Sequence, residues 1–194
     1  MAKKIAGILL IVAGFYTVLT NFSSWQESRA SITPLTEQEQ QKYESHPAQS
    51  VKDSQPLSPS HEYKLGEDVA TLIIPKIQQK FKVYWGTDEN TLTKGVGMFV
   101  SSLTTPPGEG HTVLSGHRDT VFAGLEKLED GDKLIVNFEE QSYTFIIEKI
   151  WITDKDDRTV IVEKNEPTLT LTTCYPFTYV GNAPDRYILQ GKLL

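Results

Sequence analysis

The longest uninterrupted apolar segment of the sequence lies close to its N-terminus. Residues 5–22, IAGILLIVAGFYTVLTNF, form an uncharged run of 18 positions. As a helix rising 1.5 Å per residue, this run covers about 27 Å, close to the hydrocarbon thickness of a bilayer. Residues 28–30, Ser-Arg-Ala, make a poor signal-peptidase cleavage site. The pattern therefore predicts an uncleaved membrane anchor over residues 1–22 rather than a cleaved signal peptide.

Charges on either side of this segment predict its orientation. Lys3 and Lys4 precede it, whereas Glu27 comes before Arg29 beyond it. Basic residues favour the cytoplasmic side of a membrane-spanning helix. We therefore expect a single-pass membrane protein with a cytoplasmic N-terminus and an extracellular remainder.

Residues 23–64 have a polar pattern without alternation. They are rich in Gln, Glu, Ser and Pro, and Thr36 followed by Glu39 is typical of a capped helix start. Prolines at Pro56 and Pro59 favour a semi-rigid chain. We interpret this segment as an extracellular stalk, or linker, that carries a domain away from the membrane.

From residue 65 onwards the pattern changes to short runs in which apolar and polar residues alternate, separated by Gly and Pro. Such runs are typical of strands, and many of them without long helices favour a mainly antiparallel β-barrel or sandwich. Helical signal is weak, although residues 121–129 could form one or two turns. The predicted strands are residues 69–74, 82–85, 112–115, 133–138, 142–153, 168–173 and 186–193.

Composition narrows the possible functions. The chain has 194 residues, 39% of them hydrophobic, which is enough for one packed domain of residues 65–194. Its net charge of −6 argues against a general nucleic-acid surface. One cysteine excludes an intramolecular disulfide, and no Cys/His cluster has the spacing of a zinc site. We expect neither a cofactor nor a metal.

The single cysteine lies at the end of a predicted strand. Within residues 169–174, LTLTTC, side chains alternate between two faces, so Cys174 lies with Thr170 and Thr172 and away from the leucines. A lone cysteine is most often a small buried hydrophobe. Its position among hydroxyls favours the alternative, a nucleophile placed where a strand opens into a loop.

Two further reactive side chains lie at predicted strand ends. His117 follows HTVLSG, and Arg186 begins the last strand. An imidazolium or guanidinium near a thiol favours the nucleophilic thiolate, and both groups can assist acyl transfer. Taken singly, His117 could be an ordinary loop histidine, and Arg186 could form an exposed salt bridge with Asp185.

Three short motifs resemble the sortase family. Residues 170–174, TLTTC, match the signature TLxTC, and residues 113–122, VLSGHRDTVF, resemble the segment with the family histidine. Residues 183–188, APDRYI, match the arginine segment, and YPFTYVGNAPDRYI is most similar to class D sortases. The motifs occur in the family order, and Ser115 stands where many relatives have Ala. The resemblance covers residues 69–194.

This resemblance implies a sortase catalytic domain over residues 65–194, folded as an eight-stranded β-barrel with short helices. It also implies a cysteine transpeptidase. Cys174 would be the nucleophile that carries an acyl thioester, and His117 the general acid and base. Arg186 would stabilise the oxyanion and position the substrate.

The resemblance further implies partners. Sortases cut LPxTG-like C-terminal sorting signals of exported proteins after Thr and pass the acyl group to an amine, usually of a Gram-positive cell-wall precursor. Class D members often prefer Ala after the Thr, and some accept Gly, and the sequence leaves this choice open. The loop of residues 153–167 would border the substrate groove. The acidic residues of this loop are Asp154, Asp156, Asp157 and Glu163. Some sortases bind calcium through such residues, but a charged loop is more often only solvated.

Other functions fit less well. A cell-envelope thiol peptidase that only hydrolyses is the main alternative, but papain-like enzymes place Cys before His, the reverse of the order here. An L,D-transpeptidase would have Ser-His-Gly-Cys around its nucleophile, and this sequence does not. A membrane-tethered β-domain without enzymatic activity would bury Cys174 as an inert core residue.

Overall fold

Eight strands close into a β-barrel, and a ninth, short strand pairs with one of these eight. The computed structural model describes residues 2–45, 62–178, 181 and 183–194. The sheet has the order β1-β3-β2-β6-β7-β9-β8-β5-β4, and pairing of β3 with β4 closes the barrel. This confirms the mainly β, eight-stranded barrel. The strands are β1 (Ile32–Pro34), β2 (Asp68–Ile74), β3 (Gln79–Trp85), β4 (Val96–Met98), β5 (His111–Ser115), β6 (Lys133–Phe138), β7 (Gln141–Asp154), β8 (Thr168–Tyr175) and β9 (Asp185–Leu193).

All seven predicted strands are present, with bounds that differ by a few residues at most. β4 was not among the predicted strands, because Gly95 and Gly97 give its sequence the appearance of a turn. A Cβ on Gly97 would lie 2.4 Å from the carbonyl oxygen of Gly86. The glycine in β4 therefore permits close approach of another backbone segment rather than a turn.

The helices are few, and those in the barrel are short. They are α1 (Ala2–Ala30), α2 (Glu37–Ser45) and α3 (Glu89–Lys94), with 3-10 turns at Pro75–Ile77 and Leu125–Lys127. The second 3-10 turn lies within the predicted helical region. α3 was not predicted, although Asp88 caps it by accepting from the backbone N–H groups of Asn90 and Thr91.

α1 contains the whole of the predicted anchor, residues 5–22, and large apolar side chains along it, such as Leu9 and Ile11, are exposed. Across the described part of the chain, no helix combines the length and the apolarity that crossing a membrane would require. The transmembrane anchor stays a prediction.

The segment between α1 and the barrel is partly folded onto the barrel. β1 pairs antiparallel with β3, with Ile32 opposite Phe81. The capping box predicted at the start of α2 is present: the Thr36 N–H donates to a Glu39 carboxylate oxygen at 2.9 Å. The stretch of the predicted stalk with Pro56 and Pro59 lies outside the described residues. The three proposed domain bounds stay predictions.

The barrel interior holds the main apolar core. Large side chains that are fully buried there include Leu72, Phe81, Phe122 and Phe145. From β8, Leu169 and Leu171 contribute to this cluster. Because strand side chains alternate, the next residues of β8 point to the opposite, outer face of the barrel wall, where Cys174 lies.

Candidate active site

Strand register places the arginine opposite the cysteine. β8 and β9 run antiparallel, and Cys174 is the direct partner of Arg186. Directly opposed residues of an antiparallel pair have Cβ atoms roughly 5 Å apart and project from the same face. Both side chains are half-buried. The residues that carry the thiol and the guanidinium are therefore neighbours on the outer face, where the two strands are joined by a loop.

The histidine reaches the same row from the other side of β8. β5 pairs parallel with β8, and Ser115 lies opposite Thr172. The Gly116 N–H donates to the Thr172 carbonyl at 3.3 Å, which continues this register. Continued two residues beyond the end of β5, this register places the backbone of His117 level with Cys174. The backbone positions of the three predicted site residues thus form one row, with Arg186 on one side of Cys174 and the turn that carries His117 on the other.

The turn that carries His117 is fixed by two local features. The Thr173 hydroxyl donates to the Gly116 carbonyl oxygen at 2.7 Å, which ties the cysteine strand to the peptide before His117. A Cβ on Gly116 would lie 2.7 Å from Val121 and 2.9 Å from Phe122. The turn can fold this tightly because residue 116 has no side chain.

Arg186 is held by backbone carbonyls. Its Nη1 donates to the carbonyl oxygens of Asp185 at 3.0 Å and Ala183 at 3.4 Å. Among the described residues, Arg186 forms no ion pair with an acidic side chain, so the salt bridge with Asp185 is not observed. These bonds fix one side of the guanidinium while its positive charge stays unpaired by a carboxylate.

Aromatic side chains support the loop that follows Cys174. Tyr175, Phe177 and Tyr187 pack together, with the Phe177 and Tyr187 ring centroids 5.1 Å apart. Arg118 donates through Nη2 to the Gly181 carbonyl oxygen at 2.9 Å. The residue after His117 thereby links the histidine turn to the loop between β8 and β9.

The acidic residues considered for calcium form local turns. Asp157 accepts from the Thr153 hydroxyl and from the Thr159 N–H at 2.8 Å, and these hydrogen bonds hold its pKa below the usual value, the Thr153 bond most strongly. Asp154 accepts from the Asp156 N–H at 2.8 Å. In the described part of the chain, no three His, Cys, Asp or Glu side chains are grouped as metal ligands would be.

A buried polar group that was not predicted lies on the same outer face. His111 hydrogen bonds through Nε2 to the Thr170 hydroxyl at 2.8 Å and through Nδ1 to the Val162 carbonyl oxygen at 2.6 Å. Its sequence signal was its spacing, because residues 111 and 117 have the same parity and share a face of an extended strand. Its burial depends on the loop above it, which the local pattern does not reveal.

Comparison with known proteins agrees with this geometry. Residues 72–194 match the model of the sortase domain family, so the match includes all three residues of the row. The chain is 36% identical to Sortase D of Bacillus subtilis (strain 168) over 199 aligned positions, which cover 98% of each chain.

Solved structures give the same result. The catalytic domain of B. anthracis SrtD is 58% identical, with a TM-score of 0.61 over 73% of this chain and 97% of that chain. Clostridium perfringens sortase C, solved with the C-terminal cell wall sorting motif, is 27% identical, with a TM-score of 0.62 over 69% and 74% of the two chains. The chain therefore belongs to the sortase family of cysteine transpeptidases.

Proposed function

We propose that the protein cleaves LPxTG-like C-terminal sorting signals of exported proteins after the Thr and transfers the acyl group to an amine, usually of the cell wall. The observation that supports this proposal most directly is the pairing of Cys174 with Arg186 on β8 and β9, with the turn after β5 that carries His117 on the other side of β8. An extended peptide lying along the outer face could present one carbonyl to all three side chains.

The roles follow from the chemistry of each group. The Cys174 sulfur attacks the carbonyl carbon of the substrate Thr, and Arg186 donates hydrogen bonds to the oxygen that becomes negatively charged. His117 protonates the departing amine as the peptide bond breaks, which leaves an acyl thioester on Cys174. His117 then takes a proton from the attacking amine, an amide forms, and the cysteine sulfur is released.

Similarity to a relative supports the substrate class. Clostridium perfringens sortase C has been solved with a C-terminal cell wall sorting motif, and that protein shares the fold of this chain. The half-buried Trp151 lies on β7 opposite Ile188, in the row next to Cys174 and on the same face. The Lys149 ammonium lies over this ring, 4.5 Å from its centroid, and the remaining aromatic surface suits an apolar side chain of the signal.

The test is a product analysis with synthetic peptides that end in Gly or Ala after the Thr. With an added amine, we expect an amide product in which the amine is joined to the Thr carboxyl carbon, and mass spectrometry identifies it. Cys174→Ala, checked for folding by circular dichroism, should give neither transfer nor hydrolysis. Release of the free acid alone, at every amine concentration, would support the hydrolase alternative.

We also propose that residues 1–22 anchor the protein in the cell membrane, with the catalytic domain outside. The uncharged run of residues 5–22 and the Lys3-Lys4 pair before it support this topology. Protease added to intact cells should remove the catalytic domain and spare an N-terminal tag. A soluble mature form that lacks residues 1–22 would show a cleaved signal instead.

A further inference from the structure

One chain of hydrogen bonds links three strands and a loop on the outer face of the barrel that also bears the proposed site. Gln190 on β9 donates through Nε2 to the Thr170 hydroxyl on β8 at 3.0 Å. The Thr170 hydroxyl contacts Nε2 of His111 on β5 at 2.8 Å, and Nδ1 of His111 contacts the Val162 carbonyl oxygen at 2.6 Å. Thr170 is 0% exposed and His111 only 1%, so water cannot replace these partners.

The partners determine where each hydrogen lies. A carbonyl oxygen only accepts, so Nδ1 of His111 must carry a hydrogen. The Gln190 amide already donates to the Thr170 oxygen, and the Thr170 hydrogen is then free to point at Nε2 of His111. Each hydrogen bond of the chain then has one donor and one acceptor, provided that His111 is neutral. A second proton on Nε2 would leave the Thr170 hydroxyl hydrogen without its acceptor, which is costly in a buried site.

This chain holds a loop against the face that bears Cys174. The 155–167 loop is the segment between β7 and β8. It begins after Asp154, which is level with Tyr175, the residue after Cys174. It joins β8 at Thr168, opposite His111 and about 20 Å away along the strand. By strand parity, His111 projects from the same face as Thr170 and Cys174, so its bond to Val162 shows that the loop lies over this face.

We propose that His111 is a positioning residue: as a neutral imidazole it fixes the 155–167 loop over the strands of Cys174 and Arg186, so that the loop forms one wall of the substrate groove. This inference deepens the proposed function and rests on it for the identity of the peptide. The attachment of the loop by itself does not depend on catalysis.

Burial, and to a smaller extent one nearby positive charge, favours the neutral form of His111. Burial lowers the pKa of His111, the bond to Val162 opposes this shift, and the positive charge of Lys164 in the loop adds to it. Lys192 on β9 is paired with Glu166 at 3.2 Å and Glu148 at 3.7 Å, which balances its charge. Other charged residues on the neighbouring segments include Glu163, next to Val162 in the loop, Lys149 on β7 and Glu109 before β5.

Two substitutions separate the two bonds of His111. The amide of Asn can replace Nδ1, so His111→Asn retains a donor for Val162 and loses the bond to Thr170. The amide of the longer Gln can replace Nε2, so His111→Gln retains the bond to Thr170 and loses the bond to Val162 in the loop. Thr112→Val is a matched control, because it removes a buried threonine hydroxyl of β5 that donates to Thr105 rather than to the loop.

The first measurement is hydrogen exchange of the loop amides in the Cys174→Ala background without substrate. We expect about five- to tenfold lower protection in His111→Gln, the effect of losing one buried hydrogen bond, and near-normal protection in His111→Asn. Thr112→Val should leave the loop protected. Equal loop protection in His111→Gln and the parent, or a uniform loss of protection across the whole barrel, would overturn the proposal.

The second measurement is peptide kinetics with Cys174 present. His111→Gln should raise KM by about five- to tenfold, as expected for one lost hydrogen bond, with a smaller change in kcat. A fall in kcat at constant KM would contradict a role in the groove wall. If no peptide is processed by the parent enzyme, the proposed function fails, whereas the exchange result still decides whether His111 holds the loop.

Discussion

Arg186 owes its place beside Cys174 to strand register and to two backbone carbonyls. Antiparallel pairing sets the two residues opposite each other, and the carbonyls of Asp185 and Ala183 orient the guanidinium. Without a carboxylate partner among the described residues, its charge is available to an oxyanion. A planar fork can donate to the backbone and to substrate at once, which the point charge of a lysine cannot do.

Arg186→Lys should therefore lower kcat strongly while the fold persists. Loss of a positioned oxyanion donor costs about 10²–10³ in kcat, and we expect an effect of this order. Steady-state kinetics on the peptide substrate, together with a thermal unfolding curve, would measure it. Turnover close to that of the parent in a folded Arg186→Lys protein would show that the planar guanidinium is not required for catalysis.

His111 gives the protein a pH-dependent stability. Its pKa in the folded chain is below the usual value near 6.5, because burial disfavours the cation. Below about pH 6.5 the unfolded chain therefore binds more protons than the folded chain, and stability falls with falling pH by at most about 1.4 kcal/mol per pH unit from this group. Above that pH the contribution of the neutral imidazole is fully present.

Urea unfolding between pH 7.5 and 5 would test this. The free energy of unfolding should fall toward acid in the parent, and the slope should be smaller in His111→Asn, since the group that titrates is gone. His117→Asn, at an exposed position, serves as the comparison. Identical slopes in the parent and His111→Asn would show that the buried imidazole is not the source.

Among single residues, the sequence predicted those whose position follows from local alternation. Cys174 was placed on the face of Thr170 and Thr172, and its pairing with Arg186 is the expected consequence of adjacent strands. His111 could not be identified in this way. Its role depends on Val162, which is distant in sequence and is brought to it by the path of the 155–167 loop.

At the scale of elements, β5 and the turn after it position His117. We predict that Gly116→Ala destabilises the protein by about 1–3 kcal/mol, because the new Cβ would overlap Val121 and Phe122. Activity per folded molecule should also fall, because relief of the overlap displaces the neighbouring His117. Unfolding free energy and kcat would be measured on the same sample.

Gly124→Ala is the contrasting variant for this prediction. At that position φ is +102° and an added Cβ meets nothing within 4 Å, so the cost is backbone strain without a clash. It should lower stability but leave the ratio of activity to folded protein unchanged. An equal loss of activity per folded molecule in both variants would argue against a specific displacement of His117.

The strands that the sequence did not predict are those whose formation depends on distant partners. β4 has three residues and is held by β3 and β5, while Gly97 gives it the appearance of a turn. β1 also has three residues and exists through its pairing with β3. Alternation needs longer runs to be visible, which is why the long strands β7 and β9 were found and these two were not.

On the scale of the whole molecule, the chain before the barrel is fastened to it. β1 covers part of the edge of β3, and Lys80 on β3 forms a salt bridge with Glu39 of α2 at 2.8 Å. The Lys80 ammonium and the Thr36 cap lower the pKa of Glu39 to about 2. This ion pair is therefore present at neutral pH and is lost only in strong acid, as Glu39 gains a proton.

We predict that this attachment stabilises the barrel without contributing to catalysis. A chain that begins at residue 62 should unfold at lower urea concentration than one that begins at residue 31, because it loses β1 and α2 and exposes the edge of β3. It should also associate more readily at high concentration, as exposed strand edges do, which sedimentation velocity would detect. Because the row of Cys174 is formed by β8, β9 and the turn after β5, kcat per folded molecule should be the same in both chains. Equal urea midpoints would mean that the folded stalk segment contributes nothing to barrel stability, and a lower kcat in the shorter chain would extend the functional unit to residues before 62.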